Sequence, residues 1–504
     1  VKRNNKRLIV RVDVNLRQRY RAILSYTGII LLLVGLLMLT SLFALLSWPE
    51  EWVHCLGFVI PSAILVAFGI GVWIAFRPRI PTILTVQEGG VIVLFSWIIV
   101  CLFSALPFII IQRLNFNQAI FESVSGWTTT GLSVIDVIKA PHIILLWRSI
   151  MQLAGGAGLA IIMLAAIAGP IGPGLSVAEG RSIQLAPHIR ESTKLVVLIY
   201  SGYAFVGVIA YRFAGMSFFD AINHSFTAIS TGGFSTQPGS IASWNSAAIE
   251  GVTIPLMILG SLNFLTAYLF LQRKFKAVYR NGEVRLFAIL IPASVLILFV
   301  FVCRGIYPSI SKGFRTAIFE AVTSLTTTGF SSTSYGNWNS MGFFVLIILM
   351  LIGGGTCSTA GGIKQYRIYL LFKALWWQLR RPFLPRTIVI QNYIWQGERK
   401  DYMSDSRINQ VGIFIFLYLF SYFIGVGVLT ANGYGLKESL FELASALGTV
   451  GLSVGITQAN SPPLVLWVET FAMFLGRLEF FVILISIGKV INDFIMLIFA
   501  EKSA

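Results

Sequence analysis

The 504-residue sequence predicts an all-α polytopic membrane protein, with two leading spans followed by four span–loop–span repeats around a central axis. Three observations carry this prediction. Composition is the first: 56% of residues are hydrophobic and 12% charged, against about 25% charged in soluble domains. Mean hydropathy is +0.79, which excludes a disordered chain, a coiled coil and an ordinary cytosolic enzyme. The second is a series of apolar runs of membrane-crossing length. The third is a fifteen-residue segment that recurs four times without a gap.

Apolar runs long enough to cross roughly 30 Å of hydrocarbon occupy residues 22–47, 53–76, 89–112, 143–169, 195–214, 246–271, 286–303, 341–373, 409–431 and 464–500. The basic start, VKRNNKRLIVRVDVNLRQRYR, leads into the first run. That run is too long for the apolar core of a signal peptide, so it reads as a retained span. With the N-terminus on the cytoplasmic side, 26 Lys and Arg fall in cytoplasmic segments and 7 on the opposite side. This bias places both termini in the cytoplasm of a multi-pass plasma (inner) membrane protein. The formal net charge of +17 is then mostly topology and contact with membrane lipid, and a nucleic-acid partner is not implied. The four cysteines, Cys55, Cys101, Cys303 and Cys357, lie in apolar surroundings without metal-ligand spacing.

The repeat lies on the outer side. It reads AIFESVSGWTTTGLS from Ala119, AINHSFTAISTGGFS from Ala221, AIFEAVTSLTTTGFS from Ala317 and SLFELASALGTVGLS from Ser439. Each copy sits between paired spans, and each carries a glycine at the same place: Gly131, Gly233, Gly329 and Gly451. Repeats of this kind set the architecture. The expected units are 1–80 (basic tail and two extra spans), 81–180, 181–280, 281–400 and 401–504 (four repeats).

The stretch before each glycine has helical character but is too short to cross a membrane. The residues that follow are small or β-branched, which suits extended backbone. They are Thr128-Thr129-Thr130-Gly131, Ser230-Thr231-Gly232-Gly233, Thr326-Thr327-Thr328-Gly329 and Gly448-Thr449-Val450-Gly451. Extended backbone at membrane depth is tolerated only where it is buried in protein or lines a water-filled cavity. Four such segments around an axis form a ring of carbonyl dipoles able to replace the hydration shell of a monovalent cation. The candidate carbonyls are those of Thr129, Thr130, Thr231, Gly232, Thr327, Thr328, Thr449 and Val450. Glycine permits φ > 0, which aims the flanking carbonyls inward, and threonine hydroxyls offer a further layer. The short helices point their negative C-terminal ends at the axis.

With these four segments the sequence resembles the Trk/Ktr/HKT superfamily of cation transporters, and within it the Trk-type potassium-uptake membrane subunits. The resemblance covers essentially the whole chain, including the two extra leading spans. It implies a potassium-channel-like pseudo-four-fold pore whose selectivity filter is lined by Gly131, Gly233, Gly329 and Gly451. Glycine at all four positions implies a preference for K+. The fourth copy, with Gly448 and Val450 in place of hydroxyl residues, implies an asymmetric filter that is less selective than a four-fold channel. The resemblance further implies a homodimer and a cytoplasmic nucleotide-binding regulatory subunit of the TrkA type. Any nucleotide would bind that partner, because no Rossmann fingerprint and no cofactor motif occurs in this chain. The basic segment 373–407, with Arg380, Arg381, Arg386, Arg399 and Lys400, offers a docking surface for the partner or for lipid.

Two runs are too long for one plain crossing. The first is interrupted by Gly353-Gly354-Gly355-Thr356-Cys357-Ser358-Thr359-Ala360-Gly361-Gly362. Its five glycines cost a helix roughly 1 kcal/mol each relative to alanine, so a break is expected, with a helix-packing face as the alternative. A phosphate loop is not matched, because Ile363 separates Gly362 from Lys364. The resemblance makes this segment an intramembrane gate under the filter. The second run carries Arg477 and Glu479. A mid-span arginine is costly and needs a partner; Glu122, Glu320 or Glu442 could serve. The resemblance of Gly476–Phe481 to the family's last-span motif instead makes Arg477 an electrostatic barrier facing the pore.

Glu122, Glu320 and Glu442 share one repeat position with His224. They read either as a proton-linked set or as acidic residues favoured near short-helix N-termini and paired with neighbouring spans. Arg148 and Lys489 are expected to be partnered or to snorkel. The function implied is a channel-like K+ (Rb+) translocating subunit, not an enzyme. The alternative is a proton- or Na+-coupled symporter on the same fold. An intramembrane enzyme would need a convergent pair, and the histidines, His54, His142, His188 and His224, are far apart in the sequence.

Overall fold

A computed structural model describes residues 2–78, 84–158, 189–385, 391–397 and 399–502. Among these residues, six helices are long and apolar enough to cross a membrane unbroken. They correspond to expected spans one, two, three, five, seven and nine. Spans six, eight and ten are interrupted, and glycine or polar residues explain why.

The leading pair is α1 (Lys2–Leu39) and α2 (Leu56–Phe76). Small residues let them touch backbone to backbone: a Cβ at Gly28 would stand 2.7 Å from the Gly69 carbonyl, and Ser62 donates to the Gly35 carbonyl at 2.5 Å. This is how helices associate without a hydrophobic driving force.

Four units follow, each with a continuous first span. Unit one has α3 (Val86–Ser104), α4 (Leu106–Gln112), the short helix α5 (Phe116–Trp127) and α6 (His142–Gly156). The second half of expected span four lies outside the described residues. Unit two has α7 (Ile189–Phe213), the short α8 (Phe218–Ile229), α9 (Ala247–Ser261) and α10 (Phe264–Leu271). Unit three has α11 (Gly282–Leu298), the short α12 (Ile310–Leu325), α13 (Ser340–Ile352) and α14 (Gln365–Arg380). Unit four has α15 (Asp405–Ala431), the short α16 (Leu436–Leu447), α17 (Pro463–Leu478) and α18 (Phe480–Lys502).

The second spans of units two, three and four break. The run 341–373 is interrupted at Gly353–Gly362 as expected. The run 464–500 bends by 95° at Glu479, whose φ of 60° is left-handed. The run 246–271, expected to be continuous, bends by 114° where Asn263 caps the new helix by accepting from Leu265 N at 2.9 Å. That correction has a tertiary cause, described below.

On the side opposite the short helices, the basic segment 373–407 is a helix end followed by an antiparallel hairpin, β1 (Tyr393–Gln396) with β2 (Arg399–Tyr402). The Arg280 guanidinium lies 4.7 Å from the Trp395 ring centre and ties the hairpin to the linker after α10. Arg386 lies outside the described residues. Large apolar side chains such as Leu198, Phe205, Phe301 and Phe416 stand exposed on the first spans, as lipid-facing surfaces require.

Candidate ion pathway

Three of the four short helices are started by a side-chain cap in their local sequence. Asn115 and Gln118 form a capping box on α5, and Ser217 and Ser309 cap α8 and α12. Three of the four run for 12 residues, about 18 Å at 1.5 Å per residue and well short of a crossing. All four end in the same hydrogen-bonded turn. Thr130 N, Gly232 N, Thr328 N and Val450 N each donate five residues back, to Ser125, Thr227, Thr323 and Ser445 carbonyls, at 2.8–3.0 Å. This is the Schellman pattern, which needs a left-handed residue one position earlier.

Glycine is usual there, but this protein uses Thr129, Thr231, Thr327 and Thr449, with φ of 55°, 52°, 54° and 49°. The extended backbone expected from β-branched residues is therefore wrong at this position. Helix termination overrides the local preference, at a strain of about 1–2 kcal/mol per residue. The sequence did carry a signal, since threonine is invariant there across all four copies.

The four glycines follow two residues later, again left-handed, with φ of 98°, 73°, 81° and 100° for Gly131, Gly233, Gly329 and Gly451. Their neighbours close a ring. A Cβ on Gly131 would collide with the Gly232 carbonyl, one on Gly233 with the Thr328 carbonyl, one on Gly329 with the Val450 carbonyl, and one on Gly451 with the Thr130 carbonyl. Each glycine thus presses on the residue before the next unit's glycine, in the order one, two, three, four and back to one. All four line one cavity of about 800 Å³, together with Asp136, Arg148, Lys437 and Glu438.

The threonine hydroxyls do not all face the axis. Thr128 and Thr326 donate to the Val124 and Val322 carbonyls at 2.7 and 2.8 Å and pair with the Thr130 and Thr328 hydroxyls. The Thr128 and Thr326 hydroxyls are thus engaged by helix-end carbonyls that also accept from the backbone N–H of the same residues.

The repeat-position acids are corrected too. They sit in the middle of their helices, not near the N-termini, and hold the chain as it leaves the ring. Glu122 accepts from Ser133 Oγ at 2.9 Å and Val134 N at 3.0 Å. Glu320 accepts from Ser332 N at 2.8 Å and the Tyr335 hydroxyl at 2.5 Å. Glu442 accepts from Ser453 Oγ at 2.6 Å and Val454 N at 2.9 Å. His224 does the same for Ser235 Oγ at 2.9 Å, while its Nδ1 donates to the Asp220 carbonyl at 2.8 Å. Arg148 is buried and paired with Glu122 at 2.8 Å, and Lys489 pairs with Asp493 at 2.8 Å.

Beneath the ring, residues Gly353–Gly362 fold into a compact loop. Its neck closes through Gly354 N to the Gly361 carbonyl at 3.3 Å and Ile363 N to the Leu351 carbonyl at 2.9 Å. The loop's backbone is satisfied by unit two: Gly355 N donates to Ser261 O at 3.0 Å, and Thr359 N to Gly260 O at 3.2 Å. Those carbonyls are free because α9 stops there, which explains the unforeseen bend. Glu283, at the start of α11, accepts from Thr356 N at 2.7 Å and Thr356 Oγ1 at 2.6 Å.

The loop and Arg477 together meet every left-handed threonine. Thr231 Oγ1 is 3.1 Å from Thr359 Oγ1, and Gly361 N donates to Thr327 Oγ1 at 2.7 Å. A Cβ on Gly361 would collide with Thr449 Oγ1. Arg477 donates to Thr129 Oγ1 at 3.3 Å, to the Thr359 carbonyl at 2.6 Å and to the Gly155 carbonyl at 2.5 Å. These oxygens, and not the pore-helix carboxylates Glu122, Glu320 or Glu442, accept from Arg477. Glu479 pairs instead with Arg367 at 2.8 Å, and Lys364 Nζ caps the Ala360 carbonyl. The partners of Glu283, Arg367 and the Thr359 hydroxyl were not legible in the sequence, because each contact joins residues at least 73 positions apart, whereas the Lys364 contact is local.

The profile of the TrkH family, described as cation transport proteins, matches residues 56–494. The chain belongs to the TrkH family. Among curated relatives it is 31% identical to the Trk system potassium uptake protein TrkG of Escherichia coli K12, over 92% of this chain and 97% of that one. It is 29% identical to the Trk system potassium uptake protein TrkH of Halomonas elongata, over 92% and 98% of the two chains. The crystal structure of the potassium transporter TrkH from Vibrio parahaemolyticus superposes with a TM-score of 0.77 at 27% identity, covering 91% of this chain and 98% of that one. This is a family of multi-pass transport proteins, not of enzymes.

Proposed function

We propose that this chain is the K+-translocating subunit of a Trk-type uptake system, passing K+ and Rb+ in channel fashion from the outer cavity to the cytoplasm. The observation that carries the reading is the closed ring in which each glycine abuts the next unit's carbonyl. Alternation supports it. In a plain strand successive carbonyls point to opposite sides, whereas a left-handed residue at every second position turns them to one side. With Thr129 and Gly131, Thr231 and Gly233, Thr327 and Gly329, and Thr449 and Gly451 all left-handed, the carbonyls of Thr129, Thr130, Thr231, Gly232, Thr327, Thr328, Thr449 and Val450 form the dehydrating cage for K+. On this reading Thr128, Ser230, Thr326 and Gly448 end the pore helices and complete the filter segments.

The gate is the loop from Gly353 to Gly362 with Arg477. The guanidinium is held by four oxygens under the filter, Thr129 Oγ1 and the carbonyls of Thr359, Gly155 and Gly156, and a positive charge there repels a permeating cation. The repeat boundaries read from sequence and a cytoplasmic position for both termini fit this arrangement. The family resemblance adds a second copy of the chain and a nucleotide-binding cytoplasmic regulator as partners, with the hairpin and α14 on the side available to that regulator.

Purified protein in liposomes tests the reading. Radiolabelled Rb+ uptake that is competed by K+ and weakly by Na+, and that loses this preference in Gly131→Ser, supports it. Equal competition by K+ and Na+ overturns it. A reversal potential that follows the K+ gradient at every imposed pH and Na+ gradient is the channel result; one that shifts with either gradient indicates coupled symport.

A further inference from the structure

All four second spans carry a fully buried side chain three residues before a glycine. The pairs are Gln152 and Gly155, Met257 and Gly260, Met350 and Gly353, and Met473 and Gly476. The positions correspond in space as well, because Gly155, Gly260 and Gly476 each press on the last carbonyl of their own unit's short helix, at Trp127, Ile229 and Leu447. Three units place methionine there and the first places glutamine. A buried carboxamide must find partners for both of its ends, and Gln152 finds them in the next unit. Its Nε2 donates to the Gly232 carbonyl at 2.6 Å, and its Oε1 accepts from Phe234 N at 3.1 Å.

Gly232 departs from its counterparts in a complementary way. Where Thr130, Thr328 and Val450 carry side chains, Gly232 has none, and a Cβ there would collide with the Gln152 carboxamide. Span four thus supplies to segment two the side-chain volume that segment two lacks.

We propose that Gln152 is a specificity-determining residue of the filter, holding one of the four carbonyls that abut the glycines. This rests on the reading of the four segments as a K+ filter. The Gly232 carbonyl is bracketed by two glycine φ angles and would otherwise turn easily. The Gln152 N–H pins its direction and takes up part of its lone-pair density. A pinned, weaker-field oxygen does not close around Na+, which costs more to dehydrate than K+, so the ring favours the larger ion. Gln152 acts through the Gly232 backbone, as a positioning residue.

The test is Rb+ and Na+ uptake by the full-length protein in liposomes, with wild type, Gln152→Met and Gly131→Ser side by side. Gln152→Met copies the other three units and is expected to raise Na+ uptake relative to Rb+ about fivefold, the size of one lost hydrogen bond. An unchanged ratio overturns the proposal, even if thermal stability falls, because packing alone predicts that result. If Gly131→Ser also leaves the ratio unchanged, the filter reading itself fails; if only Gly131→Ser changes it, only the role of Gln152 fails. Should Gln152→Met not fold, the double variant Gln152→Met with Gly232→Thr copies the Met350 and Thr328 combination of unit three without the hydrogen bond, and the same two outcomes decide.

Discussion

The two halves of each unit follow different rules. The first spans are continuous, and the segments that follow their short helices repeat one geometry four times, down to left-handed threonines within a few degrees of one another. The second spans repeat only as far as their inner glycine. Beyond it, unit two bends at Asn263, unit three becomes a loop, and unit four turns at Glu479. A site that surrounds an ion gains from symmetry, because every side must offer a carbonyl at the same depth. A barrier under that site needs one obstruction, which only one or two units supply. On the proposed reading, repetition marks the selecting layer, and departure from repetition marks the controlling layer.

Substitutions can break this contrast, and the largest effect is expected in the repeated layer. Gly329→Ala places a Cβ against the Val450 carbonyl at a φ of 81°. Left-handed strain alone is about 1–2 kcal/mol and a filter carbonyl must also move, so Rb+ uptake should fall about thirtyfold or more. Gly305→Ala, which meets open space, should leave uptake unchanged. Equal effects from both would remove the case for the ring.

In the asymmetric layer the sign reverses. Arg477→Ala removes the charge beneath the filter and should raise Rb+ flux about tenfold in liposomes; unchanged flux would show that Arg477 is only a strut. Glu283→Gln weakens the charge-assisted bonds to Thr356 and should raise basal flux about threefold. A fall in flux would mean that the loop assists conduction instead of obstructing it. The smallest flux effect is expected at Glu320→Gln, whose bonds to Ser332 and Tyr335 hold the outer chain. Thermal unfolding in detergent should show a loss of roughly 1 kcal/mol, with uptake nearly unchanged. A large change in its proton dependence would revive the proton-linked reading of the acidic set.

Much of the repeated layer, and one break outside it, was legible in the sequence. The four glycines, the short helices and the break at Gly353–Gly362 all follow from local pattern, because glycine runs and helix caps act within a few residues. The threonine geometry was misread although threonine is invariant there, since β-branching argues for strand and only the closing turn of a helix demands the left-handed form. The bend at Asn263 had no sequence expectation. It exists because the loop of unit three needs the carbonyls of Gly260 and Ser261.

The sequence by itself determined the class, the side bias of charge and the four-fold repeat. These depend on hydropathy, length and periodicity, which are properties of contiguous residues. Only the tertiary structure decided the partners: Arg477 with backbone oxygens of units one and three, Glu479 with Arg367, Thr356 with Glu283, and Gln152 with the Gly232 carbonyl of the neighbouring unit. A buried polar group must be satisfied by whatever lies within about 3 Å, and in this fold those groups belong to residues up to hundreds of positions away.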